Sequence, residues 1–103
     1  MSKLEILEKI ITSNITDFAI RFADEDDEFL YLCHKSYKGF EIKYQCSIYI
    51  KDGSTYSLRR NYVFDDITAI YEELFNLMKQ FIEGRIVIFE VKPASELKFE
   101  IKG

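Results

Sequence analysis

The chain has 103 residues, 48% apolar, 16% aromatic and 31% charged, with four glycines and one proline; that length suits one core, so a single domain over residues 1–103 is expected. Nine phenylalanines and seven tyrosines exclude a disordered chain. A net charge of −4 argues against general binding to nucleic-acid phosphates.

Residues 2–13 carry Leu4, Leu7, Ile10 and Ile11 at helical spacing, with Ser2 placed to cap the first turn. The pattern then changes to period two, and strands are predicted at 16–22, 28–36, 41–50 and 54–63. A longer helix is predicted over 65–83, its buried stripe running from Ile67 through Ile70, Leu74, Leu77 and Met78 to Phe81. Asp65 or Asp66 caps its start and Gly84 suits a left-handed stop. Residues 85–92 are apolar on both faces at first, as in an interior strand, and Pro93-Ala94-Ser95 turns the chain back. Alternation at 96–102 predicts a half-exposed edge strand. The expected fold is α+β in the order αββββαββ: an antiparallel four-stranded meander plus a C-terminal hairpin, packed on one long helix with a short N-terminal helix.

Register follows from the turns, because a slip of one residue exchanges the faces of a strand. A five-residue acidic loop, Ala23 to Asp27, sets Ile20 opposite Leu30. A three-residue loop Tyr37-Lys38-Gly39 sets Leu30 opposite Cys46, and a three-residue loop Lys51-Asp52-Gly53 sets Cys46 opposite Leu58. All three choices match apolar with apolar. They put Phe18, Ile20, Phe22, Leu30, Leu32, Ile42, Tyr44, Cys46, Ile48, Tyr56, Leu58 and Tyr62 on one face, beneath the long helix. The other face then carries Arg21, Phe29, Tyr31, Cys33, Tyr49 and Arg59 among smaller polar residues.

Chemistry is sparse. Cys33, His34 and Cys46 are the soft ligands, and adjacent strand residues such as Cys33 and His34 point to opposite faces, so no metal site or cofactor is expected. The sole histidine would have to serve any nucleophile, and neither a Gly-x-Ser-x-Gly elbow nor a glycine-rich phosphate loop is present. The stretch Val87-Ile88-Phe89-Glu90-Val91-Lys92 resembles the Glu-x-Lys strand of the PD-(D/E)xK nuclease family. That resemblance implies a carboxylate at Glu90 that helps hold Mg²⁺ and a lysine at Lys92 that polarises water. The family also has an Asp one strand earlier and a helix after the motif. Only eleven residues follow Lys92 here, with no helical pattern of useful length, and Glu-x-Lys recurs at Glu41, Glu96 and Glu100. Glu90 and Lys92 are therefore expected to form a solvated strand face.

Met1-Ser2-Lys3-Leu4-Glu5 lacks the long apolar stretch of a signal peptide, and no apolar run approaches the roughly 20 residues that cross a bilayer. A cytoplasmic location with reduced thiols and no membrane partner is expected. The expected function is that of a small non-enzymatic protein-binding module of inhibitor, immunity, anti-defence or adaptor type. Its protein partner would meet Arg21, Phe29, Tyr31, Tyr49 and Arg59 on the exposed sheet face, since aromatics and arginines are enriched where partners bind. A homodimer through that face or the last strand is the variant of this reading. The alternative class is a nucleic-acid-binding domain or small nuclease-like enzyme. If the N-terminal helix covers the same face, no site remains there.

Overall fold

A computed structural model describes residues 2–12 and 17–96. Its elements are α1 (Lys3–Thr12), β1 (Phe18–Ala23), β2 (Glu28–Lys38), β3 (Glu41–Asp52), β4 (Thr55–Phe64), α2 (Ile67–Ile82) and β5 (Val87–Pro93), followed by a 3₁₀ turn at Ala94–Glu96. The fold is α+β: a five-stranded antiparallel sheet in the order β4-β3-β2-β1-β5, with two helices. The strand expected at 96–102 lies, beyond Glu96, outside the described residues. Among the described residues β5 pairs on one side only, with β1, whereas an interior strand was expected there.

The helices begin and end where their sequences dictate. Ser2 Oγ accepts from the Glu5 amide at 3.2 Å. Asp66 caps α2, its carboxylate accepting from the Thr68 amide at 3.0 Å. Gly84, at φ 75°, closes α2 in a Schellman motif: the Arg85 amide donates to the Gln80 carbonyl and the Gly84 amide to that of Phe81. The expected stripe of α2 is its buried one, with Ile70, Leu74, Leu77 and Met78 in the core. Leu7 and Ile10 of α1 enter the same core. Both helices therefore lie on one face of the sheet, and α1 packs beside α2 and against β5 instead of covering the opposite, back face.

All three hairpin registers differ from those expected, and the turns explain why. The acidic loop is tighter by one residue: Asp24 Oδ1 accepts from the amides of Asp26 and Asp27, both at 2.8 Å, and Ala23 pairs with Glu28. Gly39 and Gly53, at φ 64° and 65°, each take the first place of a two-residue turn, because Lys38 pairs with Glu41 and Asp52 with Thr55. A positive φ at that place is what the turns matched to strand twist require. The consequences are largest in β2. Phe29, Tyr31 and Cys33 turn toward the helices, and Leu30 and Leu32 turn away. In β4, Tyr56 and Leu58 share the back face with Tyr49. A bulge at Arg59 then returns Tyr62 and Phe64 to the helix side, because Tyr49 pairs with Leu58 but Ile48 with Arg60. The expected placements in β1 and β3 hold: Phe18, Ile20, Phe22, Tyr44, Cys46 and Ile48 face the helices.

Candidate functional site

The five residues expected to form a binding patch do not come together. Tyr31 is only 2% exposed, its ring 6.1 Å from that of Phe18 and its hydroxyl donating to Glu73 Oε2 of α2 at 2.6 Å. Burial pushes that hydroxyl well above its ordinary value. Phe29 stacks on Phe22 at 5.2 Å on the same helix-covered side. Arg21 and Tyr49 lie on the back face, and Arg59 is the exposed extra residue of the β4 bulge.

Arg21 is committed to its own chain. Its Nε donates to the Tyr56 hydroxyl at 3.2 Å, and Nη1 pairs with Glu90 Oε1 at 3.0 Å. Tyr56 in turn donates to Glu28 Oε2 at 3.1 Å, which Lys51 Nζ meets at 3.0 Å. Burial pushes the Glu28 carboxyl up, but the bonds from Lys51 and Tyr56 outweigh it and hold the group below its ordinary value. Together with Lys92, 3.1 Å from Glu90, this network spans all five strands and seals Leu30 and Ala19 beneath it. The Glu-x-Lys pair belongs to it. The Arg21 guanidinium, also 3.9 Å from Glu28, stands between the two carboxylates, so the chain itself supplies the cation that the nuclease resemblance would assign to a metal.

Cys33 and Cys46, expected on opposite faces, are directly opposed partners on the helix side, with sulfurs 3.3 Å apart and neither exposed. Their hydrogen bond, together with burial, pushes the Cys33 thiol up, whereas the bonds of Cys46 with Cys33 and Tyr31 hold Cys46 below the ordinary thiol value. His34 is exposed, and no cluster of three His, Cys, Asp or Glu residues suited to a metal ion occurs among the described residues.

What does gather at a surface is aromatic. β1 flanks β2 only as far as Cys33, and β4 flanks β3 only from Tyr44 onward. Among the described residues, 34–43 therefore project from the sheet as a two-stranded hairpin. Phe40, in its turn, is as exposed as an isolated residue, and Tyr37 is 71% and Ile42 42% exposed. Tyr37 pairs with Ile42, and Lys35 with Tyr44, so one side of the hairpin is an apolar row that continues through Tyr44 and Phe64 into the core. Cations border it: Lys35 Nζ lies 5.5 Å over the Tyr37 ring, and Arg60 donates to the Tyr62 hydroxyl at 3.0 Å beside the Tyr62–Phe64 stack. Lys43 on the other side pairs with Asp65 and Glu41. The signal was present in the sequence as Tyr37-Lys38-Gly39-Phe40, an aromatic residue placed inside a glycine turn where polar residues usually sit.

No protein family, curated protein or solved structure matches the chain. No helix among the described residues is long and apolar enough to cross a membrane.

Proposed function

We propose that this chain is a small non-enzymatic protein-binding module whose contact surface is the projecting β2–β3 hairpin. The observation that carries the reading is the full exposure of Phe40 beside Tyr37 and Ile42. An isolated two-stranded hairpin is marginal in water, and exposed aromatics clustered at its tip, with Lys35 over the Tyr37 ring, have the make-up of interface anchors and rim. The back face supports the reading less, because its arginine and both its glutamates are already paired within the chain.

The experiment is affinity capture from native lysate by wild type, Phe40→Ser and Tyr37→Ser, each with and without nuclease. A protein partner should be retained regardless of nuclease, and loss of a central anchor should weaken its binding by about 2 kcal/mol or more. The unfolding midpoint should stay essentially unchanged for Phe40→Ser, whose side chain is fully solvated, and fall only slightly for Tyr37→Ser, which loses its cross-strand contact with Ile42. Equal retention by both variants would refute the hairpin as the surface. Capture that disappears with nuclease would favour the second reading, a nucleic-acid-binding domain, for which Lys35 over Tyr37 and Arg60 beside Tyr62 supply cations next to stacking rings.

A further inference from the structure

We propose that Cys33 and Cys46 form a redox-active dithiol that a hydroperoxide converts into an intrachain cross-strand disulfide at the root of the β2–β3 hairpin. This goes beyond the binding reading and stands on separate geometry. The two are the only cysteines of the chain and are directly opposed in the β2–β3 ladder. Opposed antiparallel residues have Cα atoms about 4.5–5.5 Å apart, inside the span of about 4.4–6.8 Å that a disulfide bridges. Their sulfurs stand 3.3 Å apart with no atom between them, so bond formation needs side-chain rotation and no movement of the strands.

Space for the oxidant lies two positions along the ladder from the thiols, where the paired Tyr31 and Ile48 line a cavity. This cavity of about 220 Å³ between sheet and α2 is lined by Tyr31, Glu73, Asn76 and Gln80, with Phe22 and Ile48. It has room and polar partners enough for a small peroxide. Tyr31 shares its face of β2 with Cys33, and its hydroxyl donates to Glu73 at 2.6 Å. The Cys46 proton, which the thiol donates toward Cys33, leaves as the sulfur reacts and is the one that the departing alkoxide takes up. The Cys46 thiolate attacks one peroxide oxygen. The S–O bond forms, the O–O bond breaks, and the departing alkoxide takes a proton to become the alcohol. Cys33 sulfur then attacks Cys46 sulfur, and the expelled hydroxide leaves as water with the Cys33 proton. Two thiols and one hydroperoxide give one disulfide, one alcohol and one water, with two electrons moved from sulfur to oxygen.

The position gives the bond a consequence. Pairing with β1 ends at Cys33, so the bridge would clamp the hairpin where it leaves the sheet.

The test is to treat the folded full-length chain with hydrogen peroxide, then denature, alkylate and weigh it. Both thiols should disappear together with a mass loss of about 2 Da, and dithiothreitol should restore them. Cleavage at lysine and arginine should yield the Cys33 peptide joined to the Cys46 peptide. The Cys33→Ser variant should stop at a dimedone-reactive sulfenic acid on Cys46. In the oxidised chain, amide exchange over residues 34–45 should slow by about tenfold or more. Thiols that remain alkylatable under peroxide that fully oxidises dithiothreitol, oxygen addition without bridging, or dimers joined between chains would each overturn the proposal.

Discussion

Tyr31 decides between the two possible registers of the sheet, so its substitution is the sharpest test of the fold. On the back face it would be a solvated ring whose removal costs little. In the structure it is 2% exposed, packed against Phe18 in the layer between β2 and α2 and bonded to Glu73. Truncating a buried aromatic to alanine removes its transfer free energy and leaves a cavity, together about 3–5 kcal/mol. A domain of this size has about 5–15 kcal/mol in total, so Tyr31→Ala should lose about a fifth of its stability or more. Tyr31→Phe separates the ring from the hydroxyl. It keeps the packing and strands only the Glu73 carboxylate, which water can reach through the cavity, so about 1 kcal/mol should be lost. Urea titration followed by far-UV circular dichroism gives both values. A cost below about 1 kcal/mol for Tyr31→Ala would refute the register, because no buried aromatic of this size can be removed so cheaply.

The remaining predictions test other parts of the molecule. Leu74 is fully buried at the centre of α2, and Leu74→Ala should cost about 2–5 kcal/mol in the same titration. Gly53 has open space around a would-be Cβ but sits at φ 65°, so Gly53→Ala should lose about 1 kcal/mol from backbone strain alone, and Gly53→Asn less. The Asp24 carboxylate is held below its ordinary value by the amides of Asp27 and Asp26. A group depressed in the folded state contributes stability above its unfolded value and loses it as pH falls through the folded one. Acid titration below about pH 4 should therefore destabilise wild type more steeply than Asp24→Asn, which keeps an acceptor but cannot be protonated; equal slopes would remove Asp24 from the acid response.

The elements were legible because their periods differ. A stripe such as Ile70, Leu74, Leu77 and Met78 has no rival interpretation, and the α2 caps bracket it. Face assignment was less legible for a physical reason. β2 is the middle strand of the sheet, and Phe29-Leu30-Tyr31-Leu32-Cys33 is apolar at both parities, so matching apolar with apolar accepts either register. Turn chemistry then had to decide, and a glycine at positive φ serves the first place of a two-residue turn as well as the last of a three-residue loop. The three hairpins carry no separate information on register, because a five-residue loop at Ala23–Asp27 and three-residue loops at 37–39 and 51–53 all continue the same even-numbered face. The bulge at Arg59 was invisible for a related reason: Tyr56, Leu58 and Tyr62 share a parity, and only the extra residue sends Tyr62 to the other side.

That correction moves the candidate site and strengthens the case for one. Tyr31 enters the core and Arg21 enters the network with Tyr56, Glu28 and Glu90, so these two members of the expected patch are satisfied within the chain. The hairpin is different. Tyr37 and Ile42 pair across its strands and so help it persist beyond the flanking strands. Phe40 does not: it sits in the turn, packs against nothing and gains no burial. The turn needs a positive φ at Gly39, which Gly39 supplies, and any polar residue would follow it as well as phenylalanine does. An aromatic ring that contributes nothing to folding, held at the tip of a projecting hairpin beside Tyr37, is the feature on which the proposed contact surface rests.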